Sequence, residues 1–89
     1  MQEIKNFEVK NKLGIHARVA AKLVATSSRF KSRIFLECDG QEVNGKSLLG
    51  ILTLACSRGG FITVKVEGSD AVEALAALEC LFTEKFGED

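Results

Sequence analysis

Along the chain, apolar positions switch between a spacing of two, which lines one side of a strand, and a spacing of three to four, which lines one side of a helix. Phe7 and Val9 fall on one side of an extended segment near residues 2 to 9, and "NKLG" then supplies polar residues and Gly14 for a bend. From Ala17 onward, Val19, Ala20, Leu23, Val24, Ser27 and Phe30 form the apolar face of an amphipathic helix, with Lys22 and Arg29 outside the stripe. "SRIFLECDGQEVN" sets Ile34, Leu36 and Cys38 against Arg33, Phe35 and Glu37 and turns on Asp39-Gly40, which predicts a tight antiparallel hairpin. "KSLLGILTLACSRGG" predicts a short, mostly buried helix, with Ser47 at its N-cap and Gly59-Gly60 at its stop. "FITVKVEG" puts Ile62, Val64 and Val66 on one face of a fourth strand. The longest helix begins at Asp70, with Glu73 placed to complete a capping box, and buries Ala71, Leu75, Leu78 and Phe82.

The resulting order, βαββαβα, belongs to the α+β class and implies a sheet with one face under helices and the other partly open. Eighty-nine residues suffice for one domain spanning 1–89. A composition 46% hydrophobic and 27% charged fits a globular chain, and no segment approaches a membrane span. The start "MQEIKNFEVK" lacks the charged and apolar regions of a secretory signal, so a cytoplasmic protein is expected. Cys38, Cys56 and Cys80 are odd in number and spaced by 18 and 24 residues. That matches neither a disulfide framework nor paired metal hooks, and buried reduced thiols are expected. Formal net charge is zero and Trp and Tyr are absent, which argues against a nucleic-acid partner.

The only histidine, His16, falls at the entrance of the first helix in "LGIHARVAAKLV". There the outward backbone N–H groups lack intrahelical partners and the helix end carries about half a positive charge, a place suited to anions. The same field favours a neutral imidazole with a nucleophilic lone pair, and Arg18 is close enough to fold over an anion attached to the ring. These features suit a histidine that accepts a phosphoryl group. Without a glycine-rich nucleotide cradle or a metal cluster, the chain reads as a relay rather than a kinase, needing no cofactor. The same pattern is served by a histidine that merely caps a helix.

"GIHARVAA" resembles the active-site stretch of the histidine-containing phosphocarrier (HPr) family of the bacterial phosphotransferase system, and "NGKSLLGILTL" resembles its regulatory serine segment. The resemblance extends over essentially the whole chain. It implies an open-faced β-sandwich, three helices over a four-stranded antiparallel sheet, and a stoichiometric carrier rather than an enzyme. It implies that His16 receives phosphate on Nδ1 from Enzyme I and passes it to IIA proteins, with Arg18 steadying the group. Ser47 matches the serine that a bifunctional HPr kinase/phosphorylase modifies in many members, although a serine there is a good helix cap in any case. Ala17, Ala21, Leu48, Leu49, Leu52 and Thr53 match docking positions, and "LLGILTL" holds more apolar residues than one buried helix face can take. Family members usually carry proline three residues after the histidine. Here that position is Val19, which leaves open a specialised carrier, such as one of the nitrogen-related branch, or a weakened relay.

Two other readings stand beside this one. An ACT-type regulatory module, also built on βαββαβ, would bind a small metabolite between subunits and leave His16 without a role. An HPr paralogue could act mainly as a regulatory binding partner, against which the presence of His16 argues.

Overall fold

The computed structural model describes residues 1–88, in the order β1 (Gln2–Glu8), α1 (Ala17–Ser27), β2 (Arg33–Cys38), β3 (Gln41–Asn44), α2 (Leu48–Leu52), β4 (Phe61–Glu67), α3 (Ala71–Thr83) and a 3₁₀ turn over Lys85–Gly87. The four strands form one antiparallel sheet ordered β1-β4-β2-β3. Ile62, Val64 and Val66 are fully buried on the central β4, flanked by Phe7 of β1 and by Ile34, Leu36 and Cys38 of β2. Strict alternation therefore delivers one apolar face to the helices and leaves the other open. This is the open-faced α+β sandwich expected, and among the described residues no helix is long and apolar enough to cross a membrane.

The hairpin turns where Asp39-Gly40 predicted it. Asp39 (φ 53°) and Gly40 (φ 82°) both adopt positive φ between the paired Cys38 and Gln41, the requirement of a two-residue turn that matches strand twist. Helix α1 buries Val19, Ala20, Leu23 and Ser27 as expected, while Val24 and Phe30 are half-buried and Phe30 lies past the helix end. On α3, Ala71, Leu78 and Phe82 are buried with Ala74, and Leu75 is only half-buried.

Three expectations are corrected. Helix α2 stops at Leu52, well before Gly59-Gly60, and buries only Ile51. The chain leaves it through Ala55 in the left-handed region (φ 53°), with Leu54 and Cys56 buried on either side. Gly59 and Gly60 instead bond to the end of β1: Gly59 N–H donates to the Val9 carbonyl, and Val9 N–H to the Gly60 carbonyl, both at 2.8 Å. Cys38 and Cys56 are buried free thiols, but Cys80 is exposed on the outer side of α3.

The third correction concerns Asp70, whose side chain makes no capping bond to α3. Its carboxylate accepts from the backbone N–H groups of Lys31 and Ser32, each at 2.9 Å, and from the Ser32 hydroxyl. These donors, the Ser32 hydroxyl first, hold the carboxyl below its ordinary value. A tertiary tie between the α1–β2 loop and the start of α3 thus replaces the capping box. The stabilisation is present above the ordinary carboxylate range and is lost as pH falls through the lowered folded value. Asp70→Asn should therefore lower the melting midpoint near pH 7 by several degrees, and the gap should close as the solution is acidified through that range. A variant melting like wild type at neutral pH would show that the tie is dispensable.

Candidate functional site

The site is built where α1 begins. Gly14 takes φ 67° and packs so closely that a Cβ would lie 2.7 Å from the Cys56 carbonyl oxygen. Only glycine meets both demands. The Gly14 carbonyl accepts from the buried Asn11 Nδ2 at 2.7 Å, and Ile15 N–H donates to the Cys56 carbonyl at 3.0 Å. Held at these points, the chain enters α1 with His16 as N-cap in an extended conformation (φ −121°, ψ −176°).

The imidazole Nδ1 accepts from Arg18 N–H at 3.3 Å. In the neutral ring this places the proton on Nε2 and leaves the Nδ1 lone pair facing the first turn of the helix, whose N–H groups lack intrahelical acceptors. Nε2 lies 3.4 Å from Glu88 Oε1, without the alignment of a hydrogen bond. The capping role and a nucleophile's orientation therefore coincide in one ring.

Sequence reasoning missed Glu88. Its carboxylate accepts from Arg18 Nη2 at 2.9 Å and from Lys22 Nζ at 3.2 Å. Those bonds, Arg18 first and Lys22 next, pull the Glu88 carboxyl down to about 2 against the opposing effect of burial, and the same pair raises the pKa of Arg18. Lys22, read from the sequence as lying outside the apolar stripe, also donates to the Phe86 carbonyl. Phe86 anchors the segment after α3: it is buried, edge-on to Phe82 at 4.9 Å, and Phe82 stacks on Phe7 of β1 at 4.7 Å. Consecutive left-handed residues, Lys85 (φ 53°) and Phe86 (φ 57°), turn the chain back toward α1. No local pattern links Glu88 to residues some seventy positions earlier; the buried Phe86 is the one signal, an aromatic beyond the last helix that needed a place to pack.

Lys12, Leu13, Arg18 and Glu88 line an open cleft of about 330 Å³ beside this cluster. A larger, flatter depression of about 510 Å³, bounded by Met1, Gln2, Lys31, Arg33, Glu67 and Gly68, contains an Arg33–Glu67 ion pair at 3.1 Å. Val19 is fully buried in the first turn of α1. Ser47 caps α2, its Oγ accepting from Gly50 N–H at 3.0 Å, and is half-buried. Ala17 and Ala21 on α1 are exposed, as are Leu48, Leu49 and Leu52 on α2 and Thr53 at its C-cap. The two helices pack against each other, and Leu49 reaches 77% exposure. Leu13 is also exposed beside the His16 loop.

The acid behaviour of Glu88 tests this geometry. The ion pairs stabilise the fold above the ordinary glutamate range and are lost as pH falls through about 2. A carboxyl ¹³C titration should place Glu88 near that value, and Arg18→Ala should move it toward the ordinary range. An ordinary titration in the unaltered protein would place Glu88 away from Arg18.

Residues 4–84 match the family described as "PTS HPr component phosphorylation site". The phosphocarrier protein HPr of Xylella fastidiosa is 49% identical over 81 residues, 91% of each chain. The HPr-like protein Crh of Halalkalibacterium halodurans is 49% identical over 74 residues, 83% of this chain and 88% of its own. Among solved structures, HPr-C-His from Thermoanaerobacter tengcongensis superposes with a TM-score of 0.93 at 45% identity, covering 98% of both chains.

Proposed function

The chain belongs to the PTS HPr family of phosphocarriers, and from that premise we propose that His16 Nδ1 accepts a phosphoryl group from Enzyme I and passes it to IIA proteins in the cytoplasm. The observation that carries this reading is the orientation of Nδ1, whose lone pair faces the Arg18 N–H at the start of α1. Family membership sets aside the ACT-type reading.

In the proposed reaction the Nδ1 lone pair attacks phosphorus, a P–N bond forms, and the bond to the donor breaks with its electron pair leaving on the donor. The Arg18 N–H, freed from Nδ1, becomes a donor to a phosphoryl oxygen, and the unpaired N–H of Ala17 adds a second at the same helix end. The Nε2 proton stays on the ring, where the Glu88 carboxylate at 3.4 Å stabilises the positive charge that develops. The Arg18 guanidinium then turns from Glu88 to the phosphoryl group. Nothing covalent is retained by any other side chain, so the reverse attack by an acceptor regenerates His16 unchanged.

The exposed Leu48, Leu49 and Leu52, beside Ala17, Ala21 and Thr53, form the docking face for Enzyme I and IIA in this reading. Ser47 stands at its edge as a target for an HPr kinase/phosphorylase. A phosphate there trades the hydroxyl's capping bond for a charge that suits the N–H groups of α2 and opposes burial of the leucines by a partner.

With phosphoenolpyruvate and Enzyme I, the protein should acquire an acid-labile, base-stable phosphate. His16→Ala should abolish it while costing about 1 kcal/mol of stability through the lost cap. Persistent labelling of that variant would sink the relay. Arg18→Ala should slow single-turnover transfer by roughly tenfold or more without preventing it; a wild-type rate would remove Arg18 from the site. Ser47→Asp should leave the melting point unchanged or raised and slow transfer from Enzyme I. A less stable variant with normal transfer would contradict both halves of the Ser47 argument.

A further inference from the structure

We infer that Cys38 and Cys56 form a reversible disulfide when the protein meets a hydroperoxide, a modification that ties the hairpin to the floor of the His16 loop. The sulfurs are in contact at 2.7 Å, although 18 residues separate them in sequence. No other group in the proposed relay uses either thiol. Cys38 ends β2 immediately before the Asp39-Gly40 turn, and Cys56 lies in the irregular run between α2 and β4, flanked by exposed Ala55 and Ser57. Both side chains are buried, 4% and 3% exposed, so the pair is shielded from large reagents but lies beside an irregular segment outside the helices and the sheet.

The geometry treats the two sulfurs alike. Burial first, then the Cys38 sulfur, pushes the Cys56 thiol up to about 12. One sulfur of the pair, its proton passing to solvent, attacks the peroxide oxygen; the O–O bond breaks and an alkoxide leaves, taking a proton from solvent to become the alcohol. That sulfur then carries a sulfenic acid. The neighbouring thiol attacks it, an S–S bond forms, and the hydroxyl departs with the second thiol's proton as water. Two thiols are oxidised by two electrons and one hydroperoxide is reduced to alcohol and water. A thiol reductant reverses the step by exchange, as fits the transient disulfides of reducing compartments.

The consequence reaches the site through the backbone. The Cys56 carbonyl accepts from Ile15 N–H at 3.0 Å, one residue before His16. A covalent bond from Cys56 to the sheet closes a loop that contains all of α2 and restrains the opening that would expose the Ile15 amide. None of this depends on phosphoryl transfer.

The test uses the full chain carrying Cys80→Ser, which removes the exposed thiol. Hydrogen peroxide followed by alkylation should give a mass lower by about 2 Da with both thiols blocked to alkylation, restored by dithiothreitol. Peptide mapping should find residues 38 and 56 joined. The oxidised protein should melt roughly 10 °C higher, and exchange at the Ile15 amide should slow at least about tenfold, a change of about 1.4 kcal/mol in opening. The same protein with Cys56→Ala should gain oxygen at Cys38 or stay unchanged, without loss of mass. Prolonged exposure that leaves both thiols free, or adds oxygen to them without joining them, would overturn the site, and a joined pair with unchanged Ile15 exchange would overturn its link to the loop.

Discussion

Burial of one face of the sheet is the constraint on which everything else hangs. Ile62, Val64 and Val66 lie on the central strand, and each gains on the order of 1.5 to 3 kcal/mol by leaving water. That gain is available only if helices cover the same side, so α1 and α3 are pressed onto it and their polar residues are forced outward. The position of His16 follows: α1 must start where the covered face ends, and its first turn is left at the rim with N–H groups pointing away from the core. The exposed helix end that His16 caps is thus a by-product of satisfying the core.

How much of this could be read beforehand depended on the range of the interaction. Strand alternation and the Asp39-Gly40 turn are local, and they appear in the structure at their expected residues. The cap positions of His16 and Ser47 are local too, and both side chains accept the bond that a cap requires. Errors arise where a distant partner outbids a nearby one. Asp70 had a capping role available within three residues and instead binds the loop at Lys31 and Ser32. Helix α2 was overextended because "LTLAC" remains apolar, yet Leu54 and Cys56 are buried by an irregular chain rather than by a helix. Glu88 was invisible for the same reason: its three cationic or ring neighbours are gathered by the packing of Phe86 against Phe82, which no spacing rule encodes.

The electrostatics of the site are those of an anion receptor already holding an anion. Helix end, Arg18 and Lys22 converge on one small region, and among the described residues Glu88 is the acid paired with both cations. The chain as a whole has no net charge, so this is a local concentration of positive field rather than a general attraction. Val19, where the sequence resemblance leads one to expect proline, is fully buried in the first turn of α1 beneath these polar groups.

A carboxylate attached to the same chain does not dilute. Glu88 is held within reach of Arg18 by the packed turn at Phe86, so it meets the guanidinium without a concentration-dependent encounter. An incoming anion is therefore measured against an occupant that is always present, and its net affinity is the difference between two charge-assisted contacts rather than the whole of one. What any anion must displace at Arg18 is thus set by a segment some seventy residues along the chain from the ring it faces.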